Sequence, residues 1–330
     1  MKTLVTGATG FLGRYIVEQL VERQDSVRAL VRQRDKQFDS LGVDQVTSDI
    51  RDREAVIAAC ENVEAVYHVA AVAGIWGPWQ HYHSINTLGT HYVVEGCQRH
   101  GVGRLIYTSS PSVTFVGEPQ EGIDETAPYP EHWLCHYPHS KALAEQDVLS
   151  ANRAGQLLTC SLRPHLIWGP RDRHLIPRLI QRARSGQLRR VGDGTNLVDT
   201  IYVENAARAH LLAADALTSG SPVAGRAYFI SQAEPVNCWE WIDQILALAG
   251  LPPVKKSISL AAAYRVGRLL ELAHRGLFLR GEPRMTRFLA TQLGTSHYFD
   301  ISAARRDFGY TPTISVSEGM KRLGSELAGG

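Results

Sequence analysis

Near its start the chain runs from a short apolar stretch, Thr3–Thr6, into Gly7-Ala8-Thr9-Gly10-Phe11-Leu12-Gly13. An apolar stripe at helical spacing follows, made of Phe11, Leu12, Ile16, Val17, Leu20 and Val21. Three glycines spaced GxxGxxG between a strand and a helix leave few options. Without Cβ atoms the backbone turns tightly and comes close to a ligand, and the N–H groups of the helix's first turn face whatever lies in front of them. A pyrophosphate suits such a site, and the position directly after the first strand of a βαβ unit favours this over a plain turn. Gly7, Thr9, Gly10, Phe11, Leu12 and Gly13 are the expected contacts.

The rest of the pattern agrees with that opening. Short apolar runs at Ser26–Val31, Gln45–Ser48, Ala65–His68, Arg104–Ser109, Thr159–Arg163 and Arg226–Ser231 alternate with helical segments, among them Glu204–Leu217 and Trp239–Ala249. This predicts an α/β fold with a doubly wound parallel sheet and a smaller, mostly helical C-terminal domain. The 330 residues suffice for two units. Residues 1–165, with a returning segment near 197–232, are expected to bind the dinucleotide, and 166–330 mainly the substrate. Lys and Arg exceed Asp and Glu by 35 − 33 = 2, which gives no general reason for nucleic-acid binding. Five scattered cysteines without a CxxC pair argue for a reducing compartment and against a disulfide framework or a metal site. The strand at residues 2–6 leaves no place for a signal peptide, and no apolar run approaches the ~18 residues a bilayer span needs, so a cytoplasmic protein is expected.

The second strand ends Val31-Arg32 with no acid at its tip. An arginine there pairs with a ribose 2′-phosphate, so NADP(H) is expected over NAD(H), with Arg34 or Lys36 assisting Arg32. Asp49-Ile50 follows the third strand, where the carboxylate either accepts from the adenine amino group or caps the helix from Arg51 onward. Farther on, Tyr137-Pro138-His139-Ser140-Lys141 sets a phenol and an ammonium on one helix face. A nearby ammonium stabilises a phenolate, which suits Tyr137 to acid/base work on a carbonyl oxygen, and Lys141 also reaches a nicotinamide ribose. Thr108-Ser109-Ser110 ends the fifth strand, where open α/β sheets bind ligands, and a hydroxyl there polarises the same carbonyl.

These segments, with Leu162-Arg163-Pro164-His165-Leu166-Ile167-Trp168-Gly169-Pro170, resemble the extended short-chain dehydrogenase/reductase superfamily, and within it the 3β-hydroxysteroid dehydrogenase-like family, over essentially the whole chain. The resemblance implies Ser110 as the carbonyl-polarising serine, Tyr137 as acid/base and Lys141 as its activator. It implies Ala70 and Ala71 beside the nicotinamide, the backbone after Pro164 at its carboxamide, and Asn86 supporting the active-site helix. It further implies a homodimer through Asn86–His100 and Tyr137–Ala151. Among its branches the chain looks most like the bacterial reductases that convert a 2-alkyl-3-oxoalkanoate to the 2-alkyl-3-hydroxyalkanoate with NADPH.

In sugar-nucleotide epimerases and dehydratases of the superfamily, an arginine that grips the diphosphate stands where this chain has Val198. That counts against such a substrate. The loop Ala73-Gly74-Ile75-Trp76-Gly77-Pro78-Trp79 offers two aromatics, and with His165 they are the candidate substrate residues. From Ser257 to Leu289, apolar residues alternate with arginines in a basic amphipathic segment, which fits a lid, a membrane-surface contact or plain packing. A 3β-hydroxysteroid or sterol 4α-carboxylate dehydrogenase, a sugar-nucleotide epimerase or dehydratase and a non-catalytic NADP sensor are the other readings, the last disfavoured by the retained Ser110, Tyr137 and Lys141.

Overall fold

The computed structural model describes residues 1–329. Seven parallel strands form the central sheet: β1 (Lys2–Thr6), β2 (Ser26–Val31), β3 (Asp44–Thr47), β4 (Ala65–His68), β5 (Arg104–Thr108), β6 (Leu158–Pro164) and β7 (Arg226–Ile230), in the order β7-β6-β5-β4-β1-β2-β3. Each coincides with an apolar run to within one residue, because a strand covered on both faces reads as continuous Val, Leu, Ile and Ala rather than as an alternation. All four residues of β4 are buried. The returning β7 lies at the sheet's edge against β6.

On one face α1 (Phe11–Glu22) packs beside α4 (Val203–Ala216), burying Ile16, Val17, Leu20, Ala206 and Ala213. On the other, α2 (Gly89–Arg99) and α3 (His136–Ser150) contribute Val93, Val94, Cys97, Ala144 and Val148. The expected helix over Asn86–His100 divides: a π-helical turn, His83–Leu88, precedes α2. One buried histidine ties sheet to helix. His68 lies 2.6 Å from the Thr6 hydroxyl and 2.8 Å from that of Thr90, and burial pushes its pKa down to about 3, so it stays neutral.

Beyond the sheet, Trp168, Trp239, Trp241, Ile242 and Ile245 anchor a separate core with Leu175–Arg184, Cys238–Leu248 and α5 (Leu260–Gly276) around it. Its strands run two to four residues, for instance Leu197–Val198 and His297–Phe299, too short to leave a period in the sequence. No helix is long and apolar enough to cross a membrane among the described residues. In the sheet, β1 sits between β2 and β4, so the winding reverses there and a crevice opens past the carboxyl ends of these strands.

Candidate active site

The glycine loop closes this crevice from one side. Gly7 adopts φ +67, and a Cβ on it would sit 2.6 Å from the Ala70 nitrogen. A Cβ on Gly13 would lie 2.2 Å from the Gly7 carbonyl oxygen, so the loop-to-helix turn admits only glycine. Gly10 N–H donates to Gly7 O at 2.9 Å, and α1 begins with no capping side chain and no acid in its first turn. Its leading N–H groups therefore face the crevice with a positive dipole end. A dinucleotide pyrophosphate fits this cradle. Across from it, Ala70 N–H donates to the Thr6 hydroxyl, while Asn86 accepts from Val72 N–H at 2.8 Å and donates to the Val72 carbonyl and the Ser140 hydroxyl. Asn86 thus locks the Ala70–Val72 strip to α3.

Arg32 is exposed just past β2 and forms no ion pair among the described residues. The nearby acids are engaged: Asp35 pairs with Arg14 and accepts from Gln37 N–H, and Asp39 pairs with Arg34 at 2.7 Å. Asp49 is chelated by the Arg51 guanidinium at 2.8 Å, and this pair holds its carboxyl down to about 2. It does not cap the next helix, which starts at Arg53 behind Asp52. Ile50 is buried against Gly89.

The candidate reactive groups converge from two elements. Ser109 N–H donates to Leu162 O at 2.7 Å and its side chain turns inward, whereas the Ser110 hydroxyl caps the turn Pro111–Thr114 and lies 2.9 Å from the Ser112 hydroxyl. Tyr137, in the first turn of α3, stands beside Ser110. Burial pushes its phenol above the ordinary tyrosine value, and the Ser110 hydroxyl opposes the shift. This differs from the lowering predicted for a phenol next to an ammonium. The reason is that Lys141 points down to the end of β5: Nζ donates to the Thr108 carbonyl at 2.6 Å and lies 4.2 Å from the centre of the Tyr107 ring. Burial pushes Lys141 down to about 7, opposed by the Glu145 carboxylate. The phenol is thereby a proton donor throughout the neutral range, and the ammonium is the group that titrates there.

Rates of ketone reduction should therefore be flat in acid and fall above about pH 7 as Lys141 loses its proton. A kcat/KM profile measured across this range checks it, and a profile level to about pH 9 would contradict it.

One turn below Lys141, fully buried Glu145 accepts hydrogen bonds from Tyr129 Oη at 2.7 Å, Ser161 Oγ at 2.7 Å and Arg163 Nη2 at 2.6 Å. This ties α3 to β6, a role the linear sequence does not reveal. After Pro164 the chain turns through Leu166 at φ +43, folding His165 inward. His165 is 7% exposed, donates through Nδ1 to the Asp199 carbonyl at 2.6 Å and packs on the His297 ring. Burial keeps it well below the ordinary histidine value, so the ring stays neutral. Trp79 lies 4.8 Å from His139, 5.1 Å from His83 and 5.7 Å from His136. Trp76 meets His274 edge-on and lies under the Arg275 guanidinium, both from α5. The Trp loop thus packs on α5 and on the first turns of α3. No group of three His, Cys, Asp or Glu able to hold a metal ion occurs among the described residues.

The sequence profile of the 3-beta hydroxysteroid dehydrogenase/isomerase family matches residues 4–261. The chain belongs to this family. It is an oxidoreductase of the extended short-chain dehydrogenase/reductase type. Among curated family members it is similar to the 2-alkyl-3-oxoalkanoate reductase of Stenotrophomonas maltophilia, at 49% identity over 99% of this chain and 100% of that one. To the enzyme of the same name from Shewanella oneidensis it is 47% identical over 98% of this chain and 85% of that one. The fold matches the solved structure of MoeE5 in complex with UDP-glucose and NAD, with a TM-score of 0.76, 24% identity and 99% of each chain covered.

Proposed function

We propose that this family member is an NADPH-dependent reductase of 2-alkyl-3-oxoalkanoates. The observation that carries the reading is the juxtaposition of the Ser110 hydroxyl and the Tyr137 phenol, with Lys141 behind them, at a crevice whose other wall is the glycine cradle. The substrate class comes from the two relatives at 49% and 47% identity. When bound, a reduced nicotinamide supplies the hydride that reduces the ketone carbon. Tyr137 donates its phenolic proton to the ketone oxygen, and Ser110 holds the charge developing on that oxygen. Lys141, fixed on the Thr108 carbonyl, aligns the end of β5 and sets the local field. Trp76 and Trp79 face the alkyl tails, with His165 as floor. At position 198 a fully buried valine leaves no cation for a sugar diphosphate. The reading includes two copies paired through 86–100 and 137–151, which particle mass in solution checks.

The test is a panel assay: NADPH oxidation with 2-alkyl-3-oxoalkanoates of varied chain length, against NADP-linked oxidation of 3β-hydroxysterols. Turnover of the oxoalkanoates is expected, and faster turnover of sterols would overturn the assignment. For the cofactor, unpaired Arg32 supports a 2′-phosphate contact. Charged hydrogen bonds contribute about 1.5–3 kcal/mol, so Arg32→Ala should weaken NADPH binding about 10- to 100-fold and leave NADH unchanged. Equal affinity of the unaltered protein for both would remove the preference.

A further inference from the structure

Among the described residues ten large apolar side chains are exposed, and six of them, Val266, Leu269, Leu272, Leu277, Phe278 and Leu279, fall within fourteen residues, with Phe278 89% exposed. Such a concentration on one surface is not ordinary scatter. The inner ridge of α5, Ala263, Gly267 and Glu271, is buried, and a Cβ on Gly267 would lie 2.6 Å from the Thr286 backbone. Glu271 accepts from Arg287 N–H at 2.7 Å and from its Nε at 2.8 Å, which pins the helix from beneath. Leu269 and Leu272 stand on the opposite face, one turn apart. The tip is ordered too: Leu277 N–H donates to Ala273 O at 2.9 Å and Leu279 N–H to His274 O at 3.1 Å, with Phe278 held at φ +49. Its ring therefore projects into solvent.

The charges around this face share one sign. Arg265, Arg268, Arg280 and Arg284 form no ion pair among the described residues, and Arg275 lies over Trp76. The acids of the segment are neutralised elsewhere, Glu271 by Arg287 and Glu282 by Arg178 and Arg182. A second copy docked face to face would set these arginines against their equivalents. An anionic bilayer instead takes the leucines and the phenylalanine below its headgroups while the guanidiniums stay at phosphate level.

We propose that the outer face of α5 and the tip Leu277–Leu279, ringed by arginines, docks on an anionic lipid surface. This stands apart from the identity of the substrate. It sets the contact between Trp76 and α5 beside the membrane plane, where long-chain molecules partition.

The experiment is co-sedimentation of the full chain with vesicles of phosphatidylcholine alone or mixed with phosphatidylglycerol, at low and high salt. Binding to the anionic vesicles should exceed that to neutral ones at least about tenfold and weaken with salt. The triple variant Leu277→Ser, Phe278→Ser, Leu279→Ser should lose about tenfold or more, with its melting curve and its turnover of a short, water-soluble ketone unchanged. The double variant Arg265→Gln, Arg268→Gln should lose about tenfold on anionic vesicles only. Val116→Ser, exposed but outside the face, should bind as the unaltered chain does. Equal binding to both vesicle types, none at low salt, or full binding by the triple variant would overturn the proposal. So would sedimentation velocity showing copies that associate through this face and separate in the triple variant. None of these outcomes bears on whether the chain reduces ketones.

Discussion

Replacing Tyr137 by phenylalanine is expected to lower kcat for ketone reduction by a factor on the order of 10² or more, with cofactor affinity held within about twofold. The substitution removes one oxygen and keeps the ring that fills the first turn of α3, so the fold and the cradle are untouched. What disappears is the proposed proton donor. Burial holds the Tyr137 phenol above its ordinary value, so it carries its proton throughout the neutral range. The remaining hydroxyl, Ser110, is shared with Ser112 at 2.9 Å and caps a turn, and it cannot replace a group designed to give up a proton. Steady-state rates beside cofactor titration by fluorescence separate the two effects, and a variant with undiminished kcat would remove Tyr137 from its role.

The second large effect is structural. Glu145→Gln should destabilise the protein by about 3–5 kcal/mol, because it strips the countercharge from buried Arg163 while keeping the shape. Burial raises the Glu145 carboxyl, but the charge and hydrogen bonds of Arg163 outweigh this and hold it below the ordinary glutamate value. A depressed folded-state pKa means that the stabilisation is present above the unfolded glutamate value and is lost as pH falls through the folded one. The difference between variant and unaltered protein should therefore shrink in acid. Lys141 adds an independent readout. Glu145 is the charge that supports its ammonium, so the variant's alkaline limb should move below about pH 7. Denaturant melts at two pH values together with the rate profile check both, and an unmoved limb would show that Glu145 acts through packing alone.

The sheet was legible because each of its strands is a compact apolar run, and the proximity of Ser110 and Tyr137 because it follows from one helix turn and one strand end. Other features depend on residues far apart in the chain. That Lys141 bonds the Thr108 carbonyl rather than leaning on Tyr137 is decided by where β5 ends, more than thirty positions earlier. The Glu145–Arg163 pair spans eighteen positions, and no periodicity marks it. His165 reads as a pocket residue from its place after Pro164, yet the Asp199 carbonyl and the His297 ring, both remote, hold it buried. Asp49 read equally as an adenine contact or as a helix cap, and of these the cap is supplied by Asp52. The partners of Trp76 lie almost two hundred residues away on α5, so this contact appears only in three dimensions.

The central claim is that one crevice brings a reduced nicotinamide and the Ser110–Tyr137 pair to the same ketone. Turnover of a 2-alkyl-3-oxoalkanoate with NADPH deuterated at the transferring face of C4, followed by mass spectrometry, tests this directly. One deuterium on the carbinol carbon of the product, formed at rates that collapse in Tyr137→Phe, is the predicted result. Product without deuterium, or formed equally well without the nucleotide, would contradict the account.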